Sequence, residues 1–224
     1  NMLKLFKFIY FYLRNFKYIF ISNERIFENI YKKNEWGTNN KSQFYSGSGS
    51  HNDSYITNYI NTINSFISNK NYTVIDFGIG DFNISKHIAP NAKKFVGIDI
   101  VKPLINHLKS KYSSEKIDFC VYKNEILDAD VILVKEVFQH LSNQKISKIL
   151  SQIKCKHLIV TEKVPLNKGL PNIDKPSSKE SRGPISSYVD FALPPFKLNY
   201  KQKKILLKHE RHNKDFLNTT VYSF

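Results

Sequence analysis

Apolar and polar stretches alternate along the chain from residue 72 onward. Five short apolar runs, rich in Val, Ile and Phe, have the length and composition of buried strands. They cover residues 73–77, 95–98, 117–121, 131–134 and 158–160. Helical patterns lie between them at residues 85–89, 103–111 and 143–153, with Ser142 as N-cap of the last. This alternation predicts an α/β fold with a parallel, doubly wound sheet.

Two further segments follow the last of these strands. Residues 163–197 are rich in Pro, Ser, Asn and charge, and a connection of that length inside a compact domain usually has a function. The segments 203–210 (KKILLKHE) and 216–224 (FLNTTVYSF) read as two strands joined by a turn. We expect them to close the sheet as an antiparallel hairpin.

The N-terminal segment 2–20 is apolar and aromatic but contains Lys4, Lys7, Arg14 and Lys17. Those charges break it too often for a transmembrane span, which needs about 20 mostly apolar residues. Wound as a helix, it has the four cations on one side. It could lie on an anionic membrane as a peripheral contact. Packing on its own domain or on a second subunit is the favoured interpretation.

A polar stretch containing SGSGS at residues 46–50 comes next. It could be a flexible linker, but Trp36 precedes it and an amphipathic helix at 55–68 follows it directly. We therefore divide the chain into a helical extension with a cofactor-closing loop, residues 1–70, and a catalytic domain, residues 71–224.

Composition adds a strong positive charge. The 224 residues include 34 Lys and Arg against 19 Asp and Glu, a formal charge of +15. Such a field favours an anionic partner, whether RNA, an acidic membrane or a phosphorylated small molecule, although lysine can also simply solvate a surface. Cys120 and Cys155 lack metal-ligand spacing, so no metal site and a cytoplasmic location are predicted, with the inner-membrane periphery as an option.

The decapeptide VIDFGIGDFN, residues 74–83, ends the first predicted strand with two glycines between two acids. Ligands of doubly wound sheets bind at the carboxyl ends of the strands, where Gly78 and Gly80 allow close backbone approach. Asp99, at the end of the second strand, is placed to accept hydrogen bonds from ribose hydroxyls. A dinucleotide fingerprint would have its third glycine at Asn83, which disfavours NAD. Asp76 would attract a cationic amino group, such as that of S-adenosylmethionine.

These segments resemble class I S-adenosylmethionine-dependent methyltransferases. DFGIGDFN is similar to their first motif, FVGIDI to their second and DADVILVKEVFQHLS, residues 128–142, to their fourth-strand motif. The resemblance covers about residues 72–224. It implies a Rossmann-like, seven-stranded sheet with an antiparallel last strand. The implied cofactor is S-adenosylmethionine, with S-adenosylhomocysteine as product.

A narrower resemblance joins Trp36, the SGSGS loop, the GDFN variant and the set Asn172, Asp174 and Arg182 to a bacterial subgroup. It implies that the loop helps to close the cofactor pocket and that the late segment faces the methyl acceptor. The chain departs from the pattern at Phe82, at Tyr45 and after the third strand, where Asn124, Glu125 or a backbone contact could replace an acid. The cofactor-binding residues so implied are Asp76, Gly78, Gly80, Asp81, Phe82, Asp99, Ile100, Lys135, Tyr45, Ser46 and Ser50.

The methyl acceptor must lose a proton if it is a hydroxyl. His140 is the first candidate base, because its ordinary pKa of about 6.5 suits that task; it could instead bind backbone at a helix start. Glu136 is the second, although a salt bridge with Lys135 is the favoured interpretation. Asn172, Asp174, Arg182 and Tyr188 are candidates for binding the acceptor, Arg182 through phosphate, or they form a solvated loop.

The leading hypothesis is a methyltransferase acting on O or N of a small anionic acceptor, phosphorylated or sugar-linked. The narrow resemblance suggests capsule or other cell-surface polysaccharide biosynthesis. The alternatives are an RNA methyltransferase and a non-catalytic cofactor-binding protein. LPPF at residues 193–196 lies after strand five and starts with Leu, unlike the motif of base methyltransferases, so a nucleic-acid partner is disfavoured. The oligomeric state is left open.

Overall fold

The computed structural model describes residues 2–38, 43–51, 53–166, 169–211 and 215–224, with the backbone alone for residues 3–5, 7, 53 and 54. The strands in this part of the chain are β1 Thr73–Phe77, β2 Lys94–Asp99, β3 Ile117–Val121, β4 Leu127–Lys135, β5 Ile153–Pro165, β6 Leu170–Pro171, β7 Ser187–Tyr188, β8 Gln202–Arg211 and β9 Asp215–Ser223. The helices are α1 Met2–Asn15, α2 Asn23–Lys32, α3 Asp53–Ile67, α4 Lys102–Tyr112 and α5 Asn143–Leu150.

Seven strands form one sheet in the order β3-β2-β1-β4-β5-β9-β8. The pairs from β3 to β5 are parallel, whereas β9 is antiparallel to both of its neighbours, β5 and β8. This confirms the predicted Rossmann-like sheet with an antiparallel last strand. The carboxyl ends of β1, β2 and β4 therefore meet at one edge, where the chain order reverses between β2 and β4.

Some predicted boundaries are wrong. The helix predicted at 85–89 is instead two 3-10 turns, Ser85–His87 and Ala89–Asn91. Pro90 explains the break, because it has no N–H to donate within an α-helix. The helix predicted at 143–153 stops at Leu150, since Ile153 already pairs with Leu127 in the sheet. Ser142 is the N-cap as predicted, accepting from the Lys145 amide at 3.4 Å.

Helix α1 packs on the late segment of its own chain, which was the favoured interpretation. Phe11 and Asn15 are buried. Tyr12 donates a hydrogen bond to the Asp174 carbonyl, and Arg14 lies 3.6 Å from the Glu180 carboxylate. Of the four cations predicted on one side, Lys4 and Lys7 have side chains outside the described residues. Among those described, no helix combines the length and the apolar character needed to cross a bilayer.

The central strands of the sheet, β1 and β4 above all, are buried on both faces, as their continuous apolar runs require, whereas the edge strand β8 is largely exposed. Helix α3 precedes the predicted boundary at residue 70, yet its Tyr55, Tyr59 and Ile63 share one core with Val74 and Leu133 of the sheet. The core on the opposite face joins α5 to β4 and to the late segment; its members include Ile132, Val134, Phe138, Ile146, Ile149 and Phe191.

Candidate cofactor and active site

A cavity of about 480 Å³ opens at the carboxyl edge of the sheet. That volume is within the usual range for small-molecule sites. The structure brings most of the predicted site residues to its wall. They are Asp76, Gly78, Gly80, Asp81, Asp99, Ile100, Lys135, Ser46 and Ser50, together with the candidate bases Glu136 and His140.

The glycine turn after β1 needs glycine for two reasons. Gly78 and Gly80 have φ angles of +79° and +57°, which side chains disfavour. A Cβ on Gly78 would lie 2.3 Å from Val137 Cγ2, and one on Gly80 would lie 2.5 Å from Ser46 Oγ. The turn is held down because the amide of Gly78 donates to the Ile98 carbonyl at 2.7 Å. The result is a tightly packed backbone turn on the wall of the cavity, which we call the cradle.

Asp99 is fixed beside this cradle. Its carboxylate accepts from the amides of Gly80 at 3.3 Å and Val101 at 3.0 Å. Burial raises the pKa of Asp99, and these two amide donors oppose the rise. An acceptor group held at the end of β2, next to the glycine turn, suits a pair of ribose hydroxyls.

Asp76 lies at the floor of the cavity and is almost fully buried. Burial raises its pKa to about 6, while the hydroxyl of Ser85, which donates to the carboxylate, opposes that shift. Asp76 is therefore negatively charged above about pH 6 and neutral below it, so its effect on cofactor binding can be tested by changing the pH.

The SGSGS loop is latched onto the glycine turn, so the linker interpretation is wrong. We call this set of bonds the latch. The Ser46 amide donates to Asp81 Oδ2 at 2.9 Å, and the Asp81 amide donates to Ser46 Oγ at 2.8 Å. His51 Nε2 lies 2.7 Å from the same Asp81 oxygen. At the other end of the loop, Asn83 donates to the Ser50 carbonyl at 2.8 Å. GDFN and SGSGS are therefore the two halves of one contact.

Lys135 and Glu136 connect the loop to β4. Lys135 Nζ donates to the Gly49 carbonyl at 3.1 Å and to Glu136 at 2.8 Å. Lys163 and Arg211 approach the same carboxylate at 3.6 and 4.0 Å. Burial would raise the pKa of Glu136, but these three cations lower it to about 2. Glu136 is thus an ion-pair residue, as favoured, and a weak base.

His140 differs from expectation in its basicity. Burial, then the charges of Lys175 and Lys163, lower its pKa from the expected value of about 6.5 to about 3. Its ring lies 5.7 Å from that of Trp36, and its Nδ1 is buried without a partner among the described residues. His140 is therefore neutral across the physiological range. Its carbonyl accepts from the Lys175 ammonium at 3.1 Å.

The residues predicted to bind the acceptor do not line this cavity. Asn172 donates to the carbonyls of Asp190 and Pro194 at 2.8 Å each. Arg182 is 1% exposed and donates to the Leu141 carbonyl at 2.8 Å, so it is not part of a solvated loop.

The other two predicted acceptor residues are also structural in this arrangement. Asp174 accepts from the Asn143 amide at 2.7 Å, and Tyr188 pairs with Pro171 between β7 and β6. Of the four, Arg182 alone lines a neighbouring cavity of about 370 Å³.

Two predicted cofactor contacts are corrected. Phe82 has a φ of +64° and is 2% exposed, with its ring 5.0 Å from that of Phe119 in the core rather than in the cavity. Tyr45 stacks on His51 at 4.5 Å and supports the latch from outside. Phe82 therefore does not obstruct the cavity.

Sequence reasoning missed several residues of the site. Tyr31, Trp36 and Gln139 line the cavity, and His51 completes the latch. Glu162 is buried beneath it and accepts from the amide of Gln139 at 3.1 Å; burial, then the charge of Glu136, raises its pKa to about 8. Only Trp36 had a sequence signal, because the others depend on contacts between distant segments.

The position after β3 is also resolved. Asn124 lines the cavity, whereas Glu125 accepts from the Lys123 amide at 2.6 Å. Of the two candidates, Asn124 is therefore the one placed to replace the missing acid. Among the described residues there is no cluster of His, Cys, Asp and Glu that could hold a metal ion.

The fold matches solved structures of methyltransferases. Magnesium protoporphyrin IX methyltransferase from Synechocystis PCC 6803, with bound S-adenosylhomocysteine, aligns at 12% identity over 90% of this chain and 100% of that one, with a TM-score of 0.56. The methyltransferase domain of bacterial CtHen1 aligns at 15% identity over 75% and 98%, with a TM-score of 0.51. The N-methyltransferase NodS from Bradyrhizobium japonicum WM9, with S-adenosylhomocysteine, aligns at 12% identity over 76% and 86%, with a TM-score of 0.50.

At these identities the similarity shows the fold, which is the Rossmann-like fold of class I methyltransferases. No protein-family profile matches the chain, and no curated protein sequence matches it either.

Proposed function

We propose that the protein is an S-adenosylmethionine-dependent methyltransferase acting on O or N of a small, anionic acceptor. One observation carries the proposal. In a methyltransferase-type sheet, the Asp76–Gly–Gly turn of β1 and the Asp99 carboxylate of β2 line the same cavity. A donor set of this kind suits a nucleoside with a cationic amino-acid arm.

The residues present fit that cofactor. Asp99 would accept from its ribose hydroxyls. The cradle, in which a Cβ on Gly78 or Gly80 would clash with Val137 or Ser46, would let the cofactor approach the backbone. Asp76 would attract its amino group, and Asn124, which lines the cavity, would offer a polar partner to the adenine. When bound, S-adenosylmethionine supplies a methyl group on a cationic sulfur, which is a good leaving group.

The chain's own contribution is alignment and exclusion of water. The latch brings the SGSGS loop over the glycine turn, and Lys135 fastens the middle of the loop to β4. Holding two reactants in line can contribute about 7–11 kcal/mol in favourable cases. A methyl transfer needs little more, provided that the acceptor atom has a free lone pair.

Proton removal is the part that the site supports least strongly. With pKa values of about 2 and about 3, neither Glu136 nor His140 holds a proton well. An amine acceptor that arrives neutral needs no base, whereas a hydroxyl acceptor would depend on the neutral His140 imidazole. The variant His140→Gln distinguishes the two kinds of acceptor: the rate of methyl transfer to a hydroxyl should fall sharply, and the rate of transfer to an amine should change little.

An anionic acceptor is supported by the cations beyond the cofactor region. Lys163 lines both cavities, and it approaches Glu136 as Arg211 does. Arg182 faces the second cavity, whose lining also includes Asp215, the partner of Arg211. Gln139 is also shared by both walls, so the acceptor would enter where the two cavities meet. A role in capsule or cell-surface polysaccharide rests on the narrow sequence resemblance alone.

The test has two stages. Isothermal titration should detect binding of S-adenosylmethionine and S-adenosylhomocysteine, and binding of neither compound would defeat the proposal. Methyl-labelled cofactor is then offered with pools of sugar phosphates, phosphorylated amines and, in parallel, RNA. We expect label in a phosphorylated small molecule. Label in RNA alone would favour the RNA alternative, and binding without any transfer would favour a non-catalytic protein.

A further inference from the structure

The outward side of α1 and of the turn after it is apolar. Its exposed fractions run from 47% at Ile9 to 85% at Met2, and large apolar patches on soluble proteins usually mark an interaction surface. The exposed positions recur every three or four residues, as one side of a helix does. We call this set the docking face: Met2, Phe6, Ile9, Tyr10, Leu13, Phe16, Ile19 and Phe20.

The helix is held in this orientation by its opposite side. Phe11 and Asn15 are buried against the protein, and Asn15 donates to the Phe11 carbonyl at 2.9 Å. Tyr12 is bonded to the Asp174 carbonyl, and Arg14 is paired with Glu180. The docking face is therefore not the side that stabilises the fold, which leaves its eight large side chains without a role in the core.

Charge indicates what covers the face. Residues 2–20 contain Lys4, Lys7, Arg14 and Lys17 and no acid, and the whole chain has a formal charge of +15. By their spacing these cations form the polar side of the helix, opposite the docking face, as in helices that lie at a membrane surface. Arg14 is paired with Glu180, and Glu24 begins the acids of the next helix. A second copy of the chain would bring like charges together across the contact. An anionic lipid surface instead attracts each basic residue near it and accepts Phe, Leu and Ile side chains at the headgroup boundary.

We propose that the docking face binds the surface of an anionic lipid bilayer, with α1 lying in the plane of the interface. With 14 residues, α1 is much shorter than a spanning helix. Phe20 is two residues before Ser22, which lines the main cavity, so the docking face and the cavity lining are within about 7 Å of each other along the chain. If the proposed function holds, the acceptor is then an anionic molecule presented at the lipid surface.

The test uses the full chain and sedimentation with vesicles of phosphatidylcholine alone or with phosphatidylglycerol added, because an anionic surface attracts each basic residue near it. We expect binding to the anionic vesicles only. The triple variant Phe6→Ser, Leu13→Ser and Phe20→Ser, at positions 69%, 71% and 78% exposed, should bind at least about tenfold more weakly. Ile126→Ser, at a position 65% exposed elsewhere, is the matched control and should bind normally.

The basic component has its own pair of variants. Lys17→Gln should weaken vesicle binding about fivefold, because one cation near the surface is lost. Lys116→Gln, at an exposed position on the far part of the chain, should leave binding unchanged. Circular dichroism should show all variants folded, since each altered side chain is exposed.

Three results would overturn the proposal. The first is no binding to anionic vesicles, and the second is binding that the triple variant retains in full. The third is a stable dimer in solution that the triple variant disperses, which would make the docking face a contact between copies. Vesicle binding needs no cofactor, so its failure is distinguishable from failure of the proposed enzyme activity.

Discussion

The latch between the SGSGS loop and the glycine turn leads to a prediction that separates loop order from direct cofactor contact. Asp81 lines the cavity, whereas Asn83 does not: its amide nitrogen donates to the Ser50 carbonyl at 2.8 Å, and its Oδ1 accepts from the exposed Lys86 at 2.8 Å. Asn83→Ala therefore loosens the loop without changing the cavity wall. Asp81→Asn removes the charge on which the Ser46 amide and His51 converge.

The sizes follow from the bonds that are lost. A neutral hydrogen bond contributes about 0.5–1.5 kcal/mol, so Asn83→Ala should weaken cofactor binding roughly 2- to 13-fold if loop order and binding are coupled. A bond to a charged group contributes about 1.5–3 kcal/mol, so one such bond lost in Asp81→Asn corresponds to roughly 13- to 160-fold. The expected order is thus wild type, Asn83→Ala and Asp81→Asn, from tight to weak.

The assay combines titration of S-adenosylhomocysteine with hydrogen exchange of the amides at residues 46–50. Both variants should exchange faster there, even without ligand, because the loop opens more often. Asp118→Asn, on the surface of β3 with a side chain 43% exposed, and Asn91→Ala are the matched controls. Unchanged exchange and unchanged affinity in both latch variants would refute the reasoning. Faster exchange with unchanged affinity would show that the loop does not close the pocket.

Three other perturbations have clear directions. Gly80→Ala should abolish measurable cofactor binding, because of its positive φ and the 2.5 Å approach to Ser46 Oγ, whereas Gly183→Ala, with 3.6 Å of clearance, should not; equal affinities would argue against the cradle. Cofactor affinity should be constant above pH 6 and fall below it, because Asp76, with a raised pKa of about 6, loses its negative charge below that pH. In Asp76→Asn the affinity should no longer depend on pH in this range. A wild-type affinity that stays constant from pH 7 to about 5 would contradict this role. Burial and the charge of Arg182 lower the pKa of Lys175 from 10.5 to about 7, so burying its charge destabilises the fold fully below pH 7 and less as the pH rises toward 10.5. Lys175→Met should therefore stabilise the protein against urea more at pH 6 than at pH 9.5. An equal gain in stability at both pH values would contradict the argument.

The sheet could be predicted because its signals are local. The runs at 73–77 and 117–121 coincide with β1 and β3, since an uninterrupted apolar run is what a doubly covered strand needs. β4 and β5 extend well beyond their predicted cores because their outer residues alternate with charge, as in LDAD before Val131. Pairing with a neighbouring strand, which the sequence does not display, decides where such strands end.

In the candidate site, too, the features set by local sequence could be predicted, and those set by contacts between distant residues could not. The glycines and the acids at the ends of β1 and β2 could be placed from spacing alone, because strand ends share one edge. The low basicity of His140 could not be predicted from the sequence, because it depends on burial and on Lys175, 35 residues further along the chain. The burial of Arg182 likewise follows from bonds to Leu141 and Asn143, about 40 residues before it.

The central claim is that Asp99 and the glycine turn hold S-adenosylmethionine. The most direct test is titration of S-adenosylhomocysteine into the wild type, Asp99→Ala and Asp118→Ala, the last removing an acid on the adjacent strand outside the cavity. Hydrogen bonds to a charged group contribute about 1.5–3 kcal/mol each, so the Asp99 variant should bind at least roughly tenfold more weakly while the Asp118 variant binds like the wild type. Equal affinity in all three proteins would contradict the account.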